Sequence, residues 1–76
     1  MATINIKLYA TLHKYIPPSA ERYAIVPGTT IYQLIDELKI PDGSVKLVFV
    51  DGRRVTPDTP LQGDERVGLF PPVGGG

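Results

Sequence analysis

One stretch restricts the fold more than any other. Ile31, Leu34, Ile35 and Leu38 recur at helical spacing while Asp36, Glu37 and Lys39 fall on the other side, which predicts one amphipathic helix. Thr30, followed three residues on by Gln33, has the form of a capping box and sets the start of that helix. Pro41-Asp42-Gly43 is the expected stop. A helix with one apolar stripe must bury it against the rest of the chain, and the rest reads largely as strands. The arrangement this requires is an α+β roll, a sheet curled around a single main helix.

The strands follow from period-two alternation and turn residues. Ile4, Ile6 and Leu8 alternate with Asn5, Lys7 and Tyr9, which predicts a half-buried first strand with its odd positions outward. Residues 10–16 have room for a helical turn or two before Pro17-Pro18, and Arg22–Val26 reads as a second strand, antiparallel to the first and ended by Pro27-Gly28. Val45–Val50 reads as a buried third strand, and Asp51-Gly52 is a two-residue hairpin turn into Arg53-Arg54-Val55. Leu61, set among Pro57, Pro60 and Gly63-Asp64, is the expected core plug, and Arg66–Phe70 is the final strand. Val67 and Leu69 should point toward the helix, with Phe70 outward like Tyr9. The order β-β-α-β-β-β is that of the ubiquitin-like β-grasp, a mixed curled sheet of four to five strands on one main helix. First and last strands are neighbours in such a sheet, so Tyr9 and Phe70 would share one exposed face, a candidate interface. The alternative is that Tyr15 or the chain beside Pro57 covers them.

Composition narrows the chemistry. Cysteine is absent, which excludes a disulfide framework, a thiolate metal site and a cysteine nucleophile. With 8 basic and 8 acidic residues the net charge is zero, so no global field directs the chain to nucleic acid or to anionic lipid, and any recognition must be local. Arg53, Arg54 and Lys46 form one small basic patch, which either discourages edge pairing or recruits an acidic partner surface. The longest apolar run, Leu47–Val50, is far too short to span a membrane, and Met1-Ala2-Thr3 opens into a strand without a basic leader, so the expectation is a cytoplasmic protein. His13 has no triad or metal motif around it, and no phosphate-binding glycine pattern occurs. No metal site and no cofactor bound by the chain itself is therefore expected.

The last six residues, Pro71-Pro72-Val73-Gly74-Gly75-Gly76, read as a delivery arm beyond a domain of residues 1–70. Two prolines fix φ and favour an extended, stiff course, and at about 3.1–3.5 Å per residue the arm reaches roughly 20 Å, enough to enter another protein's channel. Three glycines give the smallest cross-section a peptide can have and leave the terminal acyl carbon open from either side. A carboxylate is a poor electrophile until it acquires a good leaving group, which adenylation by ATP provides. A frayed terminus is the ordinary alternative.

From Gly63-Asp64 through Phe70-Pro71-Pro72-Val73-Gly74-Gly75-Gly76 the sequence resembles the sulfur-carrier family of MoaD and ThiS proteins, on the MoaD side the small subunit of molybdopterin synthase. The likeness extends over nearly the whole chain, including the Ile6-Lys7-Leu8-Tyr9-Ala10 run and the helix after Pro27-Gly28-Thr29-Thr30. It implies that an E1-like adenylating enzyme of the MoeB/ThiF type uses Mg-ATP to adenylate the Gly76 carboxylate, that a sulfur donor converts this to a thiocarboxylate, and that the MoaE-like large subunit receives the tail. Gly76, with Gly75 beside it, would then be the reactive end. Gly74 would pass the channel, Val73, Pro72 and Pro71 would form the rigid approach, and Phe70 and Tyr9 the docking face. Arg54 stands where relatives often place an apolar contact residue, so it would meet a carboxylate instead. A ThiS-like carrier for thiamine thiazole synthesis, and a ubiquitin-like modifier or plain interaction module, are the alternatives.

Overall fold

The computed structural model describes residues 2–41 and 43–72. Strand β1 (Ala2–Leu8) buries Ile4, Ile6 and Leu8 and turns Lys7 out, as its alternation requires. A six-residue 3-10 helix over Ala10–Tyr15 follows, burying Leu12, and a second short 3-10 turn at Ala20–Arg22 leads into β2 (Tyr23–Ile25). β2 is shorter than the expected Arg22–Val26: Arg22 belongs to the 3-10 turn, and Val26 is 72% exposed beyond the end of the pairing with β1.

β3 (Thr29–Thr30) runs straight into α1 (Ile31–Glu37). The capping box forms in both directions, with Thr30 Oγ1 accepting from the Gln33 amide at 3.2 Å and Gln33 Oε1 accepting from the Thr30 amide at 2.9 Å. The helix stops earlier than Pro41-Asp42-Gly43, and for a different reason. Lys39 takes a left-handed φ of 61° and donates to the Asp36 carbonyl at 3.0 Å, while the Ile40 amide reaches the Ile35 carbonyl at 3.1 Å. Those two bonds make a Schellman closure with a lysine in the position that favours glycine.

β4 (Leu47–Val50) and β5 (Arg53–Val55) form the expected hairpin, with Asp51 and Gly52 at φ 53° and 82° as a type I′ turn needs. β4 is not buried throughout, because Val48 alone is fully covered while Leu47, Phe49 and Val50 are half-buried. β6 (Pro60–Leu61) pairs antiparallel with β3, and β7 (Arg66–Phe70) closes the chain's main sheet.

The five-stranded sheet has the order β2-β1-β7-β4-β5, with β1 and β7 parallel at its centre and every other pair antiparallel. Ile6 lies opposite Val67 and Leu8 opposite Leu69, so the inward rows of the two central strands coincide. Those rows meet Ile31 and Leu34 of α1, and Leu61, fully buried, fills the end of the core where β6 meets β3. The result is the ubiquitin-like β-grasp, with one face of the sheet packed on the helix and the other left open.

Candidate functional site

The open face is set by the start of β7 as much as by its end. The Glu65 carboxylate accepts from the amides of Gln62 at 2.8 Å and Gly63 at 2.7 Å, and the Asp64 amide donates to the Thr3 carbonyl at 2.6 Å. Gly63 sits at φ 139°, and a Cβ placed there would lie 2.8 Å from the Ala2 Cβ, so only glycine lets this turn press against β1. The turn therefore fixes the register that puts Val67 and Leu69 inward and Phe70 outward.

At the far end of the central pair, the Tyr9 amide donates to the Leu69 carbonyl at 3.2 Å, extending the β1–β7 ladder by one residue before Ala10, at φ 52°, turns the chain away. Tyr9 and Phe70 consequently stand side by side. Their rings stack at 4.2 Å between centroids and 3° between planes, and Phe49 meets Phe70 edge-on at 5.4 Å. Gly68, directly opposite Phe49 across β4 and β7, makes room for this cluster: a Cβ there would meet Tyr9 Cε2 at 3.3 Å. Neither of the proposed covers reaches it, since Tyr15 packs against the core and the Pro57 carbonyl is taken up by the Tyr32 amide at 2.9 Å.

The predicted pair Tyr9 and Phe70 is thus brought together, and Tyr9 is 40% exposed. Arg54 is exposed and lies opposite Phe49 in the β4–β5 register, on this same face. Pro71 is half-buried and Pro72 exposed, immediately after β7 ends at Phe70. Val73, Gly74, Gly75 and Gly76, with the expectations placed on them, lie outside the described residues. Phe49 is the member of the cluster that sequence reasoning missed. Its signal was available only through the pairing with Gly68, because within Leu47–Val50 every residue is apolar.

The face forms a shallow groove of about 330 Å³ whose lining includes Lys7, Tyr9, Phe49, Arg66, Gly68 and Phe70. On the opposite side of the sheet, the Tyr23 hydroxyl donates to Glu37 Oε1 at 3.0 Å, tying β2 to α1; burial, and then the bond to Glu37 and its charge, push the Tyr23 pKa up. Among the described residues no cluster of three His, Asp or Glu side chains is placed to hold a metal ion, and no helix is long and apolar enough to cross a membrane.

The fold and this face define a β-grasp protein with an exposed aromatic patch on the open side of its sheet, directly before Pro71. The chain belongs to the ThiS family, whose model matches residues 6–76. Members of the ThiS/MoaD group are small carriers rather than enzymes in themselves, and work with an E1-like adenylating enzyme and partner subunits. Two solved structures share the fold. One is the Pyrococcus furiosus protein described as "Putative molybdopterin converting factor, subunit 1", with a TM-score of 0.70, 24% identity, and coverage of 96% of this chain and 100% of that one. The other is small archaeal modifier protein 1 of H. volcanii, with a TM-score of 0.70, 19% identity, and the same coverage of 96% and 100%. No curated protein matches the chain.

Proposed function

We propose that this protein is a sulfur carrier that serves as the small, sulfur-donating subunit of a molybdopterin synthase, with its reactive group at Gly76. The observation that supports it most is the stacked Tyr9–Phe70 pair with Phe49, held on an open sheet face directly before Pro71 and Pro72 in a chain of the ThiS family. An aromatic face at the root of the arm can dock a partner while the arm extends into that partner's channel.

The chemistry divides between the chain and its partners. In an adenylating enzyme of the MoeB/ThiF type, a Gly76 carboxylate oxygen attacks the α-phosphorus of Mg-ATP and pyrophosphate leaves. Hydrosulfide from the sulfur donor then attacks the acyl carbon, AMP departs with the bonding pair, and loss of the S–H proton leaves a thiocarboxylate. The chain supplies the acyl group, unhindered by side chains at Gly74, Gly75 and Gly76. Val73, Pro72 and Pro71 give the stiff approach, and Tyr9, Phe70 and Arg54 make contact with the adenylating enzyme and then with a MoaE-like large subunit. ATP is consumed in the cytoplasm, which is where this cycle would run.

Complementation separates the pathways. The gene is expected to restore molybdopterin synthesis in a strain lacking its own small synthase subunit, and not thiazole synthesis in a strain lacking its thiamine carrier. Rescue of the second strain alone would reassign the pathway, and Gly76-dependent protein conjugates with rescue of neither would point to a modifier.

A further inference from the structure

Among the described residues, the strands of the open face carry charge of one sign only. β1, β4, β5 and β7 contain no Asp or Glu, although the chain as a whole is neutral. Their registers place Lys7, Gly68, Phe49 and Arg54 in one row straight across the four strands, and Arg66 on the same face two residues before Gly68. The nearby carboxylate, that of Asp51 in the hairpin turn, accepts from the Arg66 amide at 2.9 Å and so serves the turn. Of the other described acidic groups, Asp36 and Glu37 lie on α1, while Asp64 and Glu65 lie beside Thr3 and Asn5 in the turn before β7, at the end of the sheet away from Tyr9 and Phe70.

Resting on the carrier reading, we infer that this face selects partners whose docking surface is an apolar socket flanked by carboxylates. Three strand spacings of about 4.8 Å separate the ends of the row, so Lys7 and Arg54 bracket Gly68 and Phe49 at about 14 Å, with Tyr9 and Phe70 two residues further along β1 and β7. Lys7 and Arg54 are exposed, so a partner covering the aromatics meets them at the rim of the contact, where like charge is repelled and a carboxylate is attracted. A partner that buries Phe49 and Phe70 is therefore complementary when it presents an acidic group near each end of the row. Single-stranded nucleic acid would also be drawn to cations and aromatics, but base stacking needs free ring faces. Tyr9 and Phe70 each give one ring face to the other, which leaves fewer faces for bases, and the chain has no net positive charge to hold a phosphate backbone, so the cluster suits a protein surface better.

The test is an NMR titration of the isotope-labelled full chain with three probes. These are a helical peptide with a Leu face flanked by Glu, its counterpart with Lys for Glu, and a single-stranded oligoribonucleotide. The Glu peptide is expected to shift the amides of Lys7, Phe49 and Gly68. Its affinity should fall on the order of tenfold in the Lys7→Gln/Arg54→Gln variant at about 50 mM salt, and the gap should close toward about 500 mM. An unchanged melting temperature would show that the exposed substitutions leave the fold intact. Equal binding of the Lys peptide, preferential binding of the oligoribonucleotide, or no shift on this face with the Glu peptide overturns the inference. If wild-type Gly76 cannot be charged with sulfur, the carrier reading falls while this titration still stands on its own result.

Discussion

Removing Tyr9 should cost both its buried area and its ring contact with Phe70. The ring is 40% exposed, so about three-fifths of the roughly 150–250 Å² that an aromatic side chain can bury is covered. At about 25 cal/mol per Å² that is about 2–4 kcal/mol, an upper bound because a denatured chain already hides part of this surface. Tyr9→Ala should therefore lose about 2 kcal/mol. Phe70→Ala gives up both the stack with Tyr9 and the edge contact with Phe49, and should lose about 2–3 kcal/mol. The stack at 4.2 Å adds about 1 kcal/mol beyond area. The double variant should consequently lose about 1 kcal/mol less than the sum of the single losses. Urea unfolding of all four proteins measures this, provided the m values agree. Tyr9→Leu, which retains apolar contact but not the paired rings, should show weaker coupling to Phe70. Additivity within about 0.3 kcal/mol would refute the claim that the two rings hold each other in place for docking.

Three further outcomes follow from the fold. Lys39→Gly should raise stability by about 0.5–1 kcal/mol in urea unfolding, because relief of the left-handed backbone exceeds the added freedom of the unfolded chain. Leu61→Ala should lose about 2–5 kcal/mol in the same assay, since the side chain is fully buried between β6 and the core. The folded protein holds the Tyr23 proton more tightly than the unfolded chain does, so that contribution to stability is complete below about pH 10 and is lost as pH rises through the raised pKa. In Tyr23→Phe this part of the alkaline decline should disappear, read from melting temperatures across pH 8–11 or thereabouts.

Much of the fold was readable where local chemistry decides structure. Thr30 and Gln33 fix the start of α1 through hydrogen bonds within one turn, and Asp51-Gly52 adopts the backbone its residue types favour. The alternation in β1 and β7 placed Ile4, Ile6, Val67 and Leu69 inward and Phe70 outward. The rest depends on contacts that leave no local pattern. β3 and β6 are two residues each, too short to show a period, and form because the fold brings Thr29 beside Leu61 in an antiparallel pair. The end of α1 was misplaced because Lys39 takes a position that glycine usually marks, held there by the Ile40 bond to Ile35 and by burial of Ile40. Phe49 could not be oriented within an unbroken apolar run; pairing with Gly68 decides its direction. The cationic row is likewise a product of register, since Lys7 and Arg54 are far apart in sequence and share a face only once four strands align.

The most direct measurement is the intact mass of the full chain after incubation with a MoeB/ThiF-type adenylating enzyme, Mg-ATP and a sulfur donor. The account predicts exchange of one oxygen for sulfur, located at Gly76 by fragmentation and lost when Gly76 is deleted. An unchanged mass under conditions that charge an established carrier, or sulfur found anywhere but the terminal carboxyl group, would contradict it.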